Sequence, residues 1–401
     1  MTTRKRTILC LAGEEKGYEF IRTCHAAGWK VVLLTSQSRM AKSRWPRECI
    51  DELFEMPDDD GRWDRLKTKR AVSYLARTRV FDRIVPFDDL DLEVAAMLRE
   101  HLRVPGLGDT ATRYFRDKLA MRMAAREAGF LVPDFVHLLN DAAVAEFVAN
   151  VPPPWMVKPR FLAGTLGIHK VKSKEELLAT YEQLGDERSN YLAERWIPGR
   201  IFHVESLVNN EQQLFARASA YGRPPFEVAN EGDVFSTQLL PAQGEDARAI
   251  VGLNEKVLKA LNFDGGVTHS EYIRGADDDR LYFLETAARV AGAYIPTMVE
   301  AATGVSLWEE WARVEMATVE GAYALPAQRD EYAGLVIALA RSEHPDTSSY
   351  TDPEIVWRLD YAFHVGFVVR ATTPERVAEV MSSISTRVRK ELLTSAPPKQ
   401  R

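Results

Sequence analysis

The pattern of apolar segments changes near residue 108, and this change limits the possible folds more than any other feature of the chain. Before it, short apolar runs at Thr7–Ala12, Lys30–Thr35 and Asp82–Phe87 alternate with helix-like stretches. That alternation is typical of a small parallel α/β domain. After the turn-rich segment Val104–Asp109, strand candidates outnumber helices and follow one another as hairpins. This second pattern favours an α+β region with antiparallel sheet.

Length, charge and cysteine usage exclude several classes of protein. A chain of 401 residues allows about two to three domains. The formal net charge of −6 argues against a dedicated nucleic-acid-binding protein. No apolar run approaches the ~18–20 residues that a membrane span needs, and the start of the chain does not resemble a signal peptide. Three cysteines without zinc spacing make a reducing, cytoplasmic protein the expected case.

Two lysines occupy unfavourable positions that a bound anion would explain. Lys118 opens a predicted helix, where the helix dipole disfavours a cation. Lys158 lies within the apolar strand Trp155–Pro159, so its ammonium must either reach solvent or meet an anion. A solvated side chain is the plain alternative for both. The functional hypothesis is that both lysines reach phosphate oxygens.

The segment after this strand contains small residues that could close over phosphate. Gly164 and Gly167 allow backbone N–H groups to approach an anion closely, and the Thr165 hydroxyl adds a donor. An ordinary glycine-containing hairpin has the same composition, so the loop alone is weak evidence. Further on, Leu192–Gly199 runs from an acidic residue through apolar ones to a Pro-Gly turn. A backbone of that kind could contact an adenine edge.

The strongest indication of a functional site comes from a predicted β-hairpin. With its turn centred near Asp277, Glu271 pairs with Phe283, which makes Glu285 a diagonal neighbour of Glu271 on the same face. Such neighbours lie ~7–8 Å apart at the backbone. Two carboxylates without histidine or cysteine ligands suit Mg²⁺ or Mn²⁺, although two solvated glutamates are the alternative. Arg289 follows closely and could face developing negative charge.

Taken in order, these segments resemble the ATP-grasp superfamily, particularly its carboxylate–amine ligases. The matching segments are Asp117-Lys118, Val157-Lys-Pro159, Gly164-Thr-Leu-Gly167, Glu194 to Gly199, Phe202-His-Val-Glu205 and Glu285-Thr-Ala-Ala-Arg289. The resemblance implies an N-terminal parallel α/β domain followed by a two-lobed ATP-grasp fold with antiparallel sheets. The implied boundaries are 1–108 for the first domain, 109–200 and 201–329 for the two lobes, and 330–401 for a C-terminal extension packed on the grasp.

The resemblance also implies a role for each candidate residue. It implies that the phosphates of ATP are bound by Lys118, Lys158, Gly164, Thr165 and Gly167, and that the adenine is contacted by Glu194, Arg195 and Ile197. It also implies that Mg²⁺ is bound by Glu271 and Glu285, and the activated carboxylate by Arg289. Two positions depart from the family pattern. Ile201 stands where a glutamate often contacts the ribose, and Ala287 stands where the metal motif usually has asparagine. The number of metal ions therefore stays open, with Glu205 or water as a substitute ligand.

The implied activity is ATP-dependent ligation through an acyl phosphate. ATP would phosphorylate a small-molecule carboxylate, and an amine would then displace the phosphate. The departures at Ile201 and Ala287 leave a catalytically silent nucleotide-binding protein as an alternative. A purine-pathway or carboxylase-type enzyme of the same fold is a third possibility. The expected partners are small-molecule substrates and no membrane or nucleic acid; the oligomeric state stays open, with a homodimer as the commonest case.

Overall fold

The computed structural model describes residues 4–394, and its first part is a four-stranded parallel sheet between helices. The strand order is β3-β2-β1-β6. The predicted parallel α/β domain is thereby confirmed. The edge strand β3 was not predicted, because two glutamates interrupt its apolar residues and most of its positions are only half-buried. The elements are β1 (Thr7–Ala12), α1 (Tyr18–Ala26), β2 (Lys30–Ser36), β3 (Glu52–Met56), β4 (Asp58–Asp59), β5 (Arg62–Trp63), α2 (Arg65–Leu75), β6 (Arg83–Pro86) and α3 (Asp89–Leu102).

A second, antiparallel sheet of four strands follows, in the order β7-β10-β8-β9. Helices α6 and α7 cover one face of it and bury an apolar cluster that includes Phe147, Trp155 and Leu177. The other face carries the polar residues described below. The elements of this first lobe are α4 (Asp109–Arg113), α5 (Lys118–Glu127), β7 (Phe135–His137), α6 (Asp141–Asn150), β8 (Trp155–Pro159), β9 (His169–Val171), α7 (Lys174–Leu184) and β10 (Tyr191–Arg195).

The largest sheet has eight strands, and it runs through the second lobe into the C-terminal part of the chain. Its order is β15-β14-β11-β12-β13-β16-β18-β17. The segment from Tyr221 to Gly232 contains the short helix α8, whose first residue is Pro225. The elements are β11 (Gly199–Asn209), β12 (Gln212–Tyr221), α8 (Pro225–Glu231), β13 (Phe235–Leu239), α9 (Glu245–Ala260), β14 (Gly265–Gly275), β15 (Leu281–Ala287), α10 (Ile295–Thr303), α11 (Leu307–Glu320), β16 (Tyr332–Leu339), β17 (Ile355–Arg358), β18 (His364–Ala371) and α12 (Pro374–Glu391).

Helix α11 joins the N-terminal sheet to the large sheet. Its Trp311 packs edge-on against Phe20 and Phe87 from the N-terminal part. On the same helix, the buried carboxylate of Glu315 binds Arg83 of β6 at 2.6 Å. These contacts fix the N-terminal domain beside the second lobe. Within residues 4–394, no helix is both long and apolar enough to cross a membrane.

Candidate active site

Lys118 reaches from the first lobe to the large sheet. Asp117 caps α5 by accepting a hydrogen bond from the backbone N–H of Leu119, so the helix begins at Lys118. The Lys118 Nζ donates to the carbonyl oxygen of Leu162 at 2.7 Å and lies 3.0 Å from Glu285 Oε2. One ammonium group therefore connects the first lobe with strand β15 of the second.

Lys158, the second lysine expected to bind phosphate, belongs to a buried ion triad. Its ammonium contacts Glu194 Oε1, and Arg122 donates to Glu194 Oε2 from Nε at 3.1 Å and from Nη2 at 2.9 Å. Burial acts to raise the pKa of Glu194, but the charges of Arg122 and Lys158 outweigh it and the pKa is lowered. The carboxylate of Glu194, which we expected beside adenine, holds these two cations.

The loop between β8 and β9 is folded tightly beside Lys118. Gly164, Thr165 and Gly167 all have positive φ angles, of 66°, 64° and 68°. For threonine this left-handed conformation is uncommon and strained, and such strain clusters at ligand-binding sites. The carbonyl of Leu162 in the same loop is the one that accepts the hydrogen bond from Lys118. The loop that carries the three residues expected to cover the phosphates is therefore hydrogen-bonded to Lys118 through Leu162.

Glu271 and Glu285 lie directly opposite each other on β14 and β15. The predicted diagonal pairing was wrong by a small shift of register. A β-bulge between Glu271 and Tyr272 leaves Phe283 opposite Tyr272 and brings Glu285 opposite Glu271. Two carboxylates on directly paired strand positions repel each other unless a cation lies close by.

The two carboxylates have different partners. Glu271 Oε1 accepts a hydrogen bond from the hydroxyl of Tyr221 at 2.7 Å and lies 3.5 Å from His269 Nε2. Burial acts to raise the pKa of Glu285, whereas Lys118 and then Lys158 lower it, and the balance brings it to about 2. Glu285 is thus an ionised carboxylate at ordinary pH, with a lysine as its cation.

Arg289 does not project freely into the cleft. Its Nε and Nη2 both contact Asp89 Oδ2 at 2.6 Å, and Asp89 is the first residue of α3 in the N-terminal domain. Beside it, Lys16 contacts Asp88. The arginine that we expected to bind an activated carboxylate is therefore already paired with a carboxylate of the protein.

The residues expected beside the adenine lie at the junction of β10 and β11. Ile197 is buried against Ile273 and Tyr282, and Arg195 Nη2 donates to the hydroxyl of Tyr282 at 3.3 Å. A cavity of about 400 Å³ opens nearby, lined by residues that include Ile201 and Tyr221. Its size suits part of a small-molecule ligand.

Sequence reasoning missed three residues that organise this site. Arg122 lies one helical turn after Lys118, and that spacing was a usable signal. Tyr221 ends strand β12, and nothing in its neighbourhood indicates a carboxylate partner. Asp89 belongs to another domain, so only the tertiary structure brings it to Arg289.

The sequence relatives of this chain include two kinds of ligase. No protein-family model matches the chain. The chain is 28% identical over 276 residues to an L-arginine-specific L-amino acid ligase of Bacillus subtilis, an alignment that spans 66% of each protein. It is 33% identical over 173 residues to a D-alanine–D-alanine ligase of Chlorobaculum tepidum, which covers 40% of this chain and 47% of that ligase. The chain thus spans about half to two thirds of these relatives.

The fold is shared along nearly the whole chain. An L-amino acid ligase from Bacillus licheniformis superposes with a TM-score of 0.74 at 18% identity, covering 98% of this chain and 100% of the other. An N5-carboxyaminoimidazole synthetase from Staphylococcus aureus, complexed with ADP, gives 0.71 at 18% identity and covers 96% and 98%. The shared fold and these sequence relatives confirm the resemblance to the ATP-grasp superfamily and, within it, to carboxylate–amine ligases such as the L-amino acid and D-alanine–D-alanine ligases.

Proposed function

We propose that the protein is an ATP- and Mg²⁺-dependent ligase that activates the carboxylate of an amino acid or a similar small molecule and joins it to an amine. The observation that carries this proposal is the ion pair between Lys118 and Glu285. It places a lysine of one lobe against a carboxylate of the other, with Lys158 close enough to lower the pKa of the same carboxylate. A triphosphate and its divalent cation need these two kinds of group on opposite sides.

The donor set fits a hard divalent cation. Glu271 and Glu285 offer carboxylate oxygens from directly paired positions, and Lys118 already supplies a positive charge at Glu285. Mg²⁺ prefers oxygen ligands and commonly takes one or two carboxylates together with substrate phosphates. Glu271 and Glu285 would hold the ion, which would neutralise charge on the phosphates when bound.

The reaction has two steps that balance without a redox partner. An oxygen of the substrate carboxylate attacks the γ-phosphorus of ATP, and the bond to the β-phosphate oxygen breaks to release ADP. The amine nitrogen then attacks the acyl carbon, loses a proton, and displaces inorganic phosphate. In this scheme Lys118 and Lys158 hold the phosphates, and the loop of Gly164, Thr165 and Gly167 closes over them to exclude water.

Arg289 and Asp89 suit the substrate side of the cleft. A carboxylate that binds Arg289 must displace Asp89, which then stands free to accept a hydrogen bond from an ammonium group. The exchange replaces one ion pair within the protein with two contacts to a substrate that carries both charges. The relatives named as ligases of amino acids support the same substrate class.

A phosphate-release screen tests this proposal. The purified protein is incubated with Mg-ATP and pairs of amino acids or small carboxylates, and ADP, phosphate and the ligated product are measured. We expect phosphate release that requires both substrates and yields equal amounts of ADP and amide. Protection by Mg-ATP against heat without turnover on any pair would instead identify a silent nucleotide-binding protein, the alternative favoured by Ile201 and Ala287. Turnover with bicarbonate alone would identify a carboxylase-type enzyme.

A further inference from the structure

A second group of potential metal ligands lies beneath the proposed magnesium site. His203 and Glu205 are two residues apart on β11, so their side chains share one face of the large sheet. His269 is the strand partner of Glu205 on β14. One nitrogen of each imidazole and one carboxylate oxygen all lie within 4.8 Å of one another. His203 and Glu205 are fully buried, and the side chain of His269 is 13% exposed.

The outer nitrogen of His203 has an acceptor as its partner. Its Nε2 lies 2.7 Å from the hydroxyl oxygen of Thr237, and that hydroxyl donates to the carbonyl oxygen of Ala220 at 3.1 Å. Because the hydroxyl has one proton, it must accept from Nε2, which assigns the Nε2–H tautomer to His203. The Nδ1 lone pair of a neutral His203 then faces Glu205 Oε1 at 2.9 Å.

The ring of His269 approaches the same carboxylate from the neighbouring strand. Its Nε2 faces Glu271 Oε1 at 3.5 Å, an oxygen that already accepts from Tyr221. Its Nδ1 lies 2.7 Å from Glu205 Oε1. The Nδ1 atoms of both imidazoles thus converge on one buried oxygen of Glu205. Imidazole ligands whose other nitrogen is held by an acceptor are the usual surroundings of a bound transition metal.

Glu205 supplies an independent observation. Its Oε2 is buried and has no hydrogen-bond partner among the described residues. A buried carboxylate oxygen without a partner is costly, so its presence calls for an unseen donor or cation. A metal ion bound to the Glu205 carboxylate and to both Nδ1 atoms would supply that cation.

We propose that His203, Glu205 and His269 bind a transition-metal ion of the Zn²⁺ type, separate from the magnesium of the proposed reaction. Two imidazoles and one carboxylate are a common Zn²⁺ ligand set, whereas Mg²⁺ prefers oxygen alone. Tetrahedral ligands ~2.0–2.1 Å from the ion stand ~3.3 Å apart, so the side chains must separate by a few tenths of an ångström when it binds.

The ion would help to position the carboxylate of Glu271, one of the two proposed Mg²⁺ ligands. It fixes the ring of His269, whose Nε2 faces Glu271. It does not need ATP or either substrate, so the site can be tested whether or not the proposed ligase activity is correct.

Metal content and a cobalt spectrum test the site directly. Chelator-treated protein is reloaded with Zn²⁺ or Co²⁺ in excess Mg²⁺ and then freed of loose ions by gel filtration. We expect about one Zn²⁺ per chain, a rise in Tm, and the visible absorption of four- or five-coordinate Co²⁺. X-ray absorption of the wild-type zinc form should show nitrogen and oxygen neighbours at ~2.0–2.1 Å.

Two variants separate this site from the magnesium site. His269→Asn changes the most accessible ligand and should abolish the retained zinc and the cobalt bands, whereas Glu285→Gln should keep both. Wild-type protein that retains no Zn²⁺ or Co²⁺ would overturn the proposal and leave a network held by protons alone. Equal retention by the wild type and by His269→Asn would also overturn it.

Discussion

Two ion pairs of similar composition lie in different regions of this molecule and have different surroundings. At the domain junction, the side chains of Arg83 and Glu315 are 8% and 5% exposed. Arg83 also donates to the carbonyl oxygen of Pro105, and Glu315 accepts from the indole of Trp311. In the cleft, Lys118 is 9% exposed, but its partner Glu285 is 35% exposed.

The difference separates a structural ion pair from an exchangeable one. Every contact of the junction pair lies within the protein, so breaking it leaves a buried charge without compensation. Glu285, by contrast, keeps 35% of its side chain exposed to solvent, so a cation can approach it in the folded protein. Breaking an ion pair to a glutamate is therefore expected to reduce stability in one place and activity in the other.

The largest expected effect is on turnover, in Glu285→Gln. The amide keeps the size of the side chain but removes the charge that would hold Mg²⁺, so we expect at least ~10³-fold less ADP release. The Tm should stay close to that of the wild type because Glu285 is partly exposed. Activity near the wild-type level would remove Glu285 from the proposed metal site.

Breaking the ion pair between Arg83 and Glu315 should lower the stability of the protein and not the activity of its folded form. Arg83→Met leaves Glu315 buried without its cation, and we expect unfolding in urea to lose about 3–5 kcal/mol. The folded fraction should keep the wild-type KM for ATP. A stable Arg83→Met protein that lacks activity would erase the distinction between the two regions.

Lys158→Ala tests the proposed phosphate contact within the cleft. This substitution removes a cation expected to bind phosphate, so we expect the KM for ATP to rise ~10- to 100-fold. The matched control is Lys172→Ala, which removes an exposed lysine of the same lobe and should leave the KM unchanged. Equal KM values in the two variants would argue against a phosphate role for Lys158.

The smallest effect is expected for Asp89→Asn. The variant weakens the ion pair that occupies Arg289, so a substrate carboxylate meets less competition. If Asp89 also binds the substrate ammonium, simple carboxylates should gain up to ~5-fold in kcat/KM while amino acids gain nothing or lose. Kinetics with matched carboxylates, with and without an α-amino group, distinguish these results. An equal gain for both classes would assign Asp89 to Arg289 alone.

Much of the fold could be predicted because the pattern of apolar residues in a segment indicates which of its faces are buried. All six residues of β1 are apolar or small and all are buried, as expected of a strand covered on both faces. The edge strand β3 lacked that signal. The hairpin of Glu271 and Glu285 was identified, but its register was not, because a bulge adds a residue without changing the apolar pattern.

The candidate site was predictable only in its local components. Lys118 and Lys158 were noticed because each conflicts with its own helix or strand. The pairing of Arg289 with Asp89 spans 200 positions and crosses domains, and neither neighbourhood records it. No metal role was predicted for His203 or His269, since only the pairing of β11 with β14 brings them to one carboxylate.

The continuity of the eight-stranded sheet has a consequence for dissecting this protein. Strand β13 pairs on one side with β12 and on the other with β16, which belongs to the C-terminal part. Cutting the chain between residues 321 and 331 would strip β13 of that neighbour and leave a row of bare amide and carbonyl groups. Strands of other molecules could pair with this exposed edge, so such a fragment is expected to aggregate. A shortened protein is therefore unsuitable for studying the reaction in the cleft.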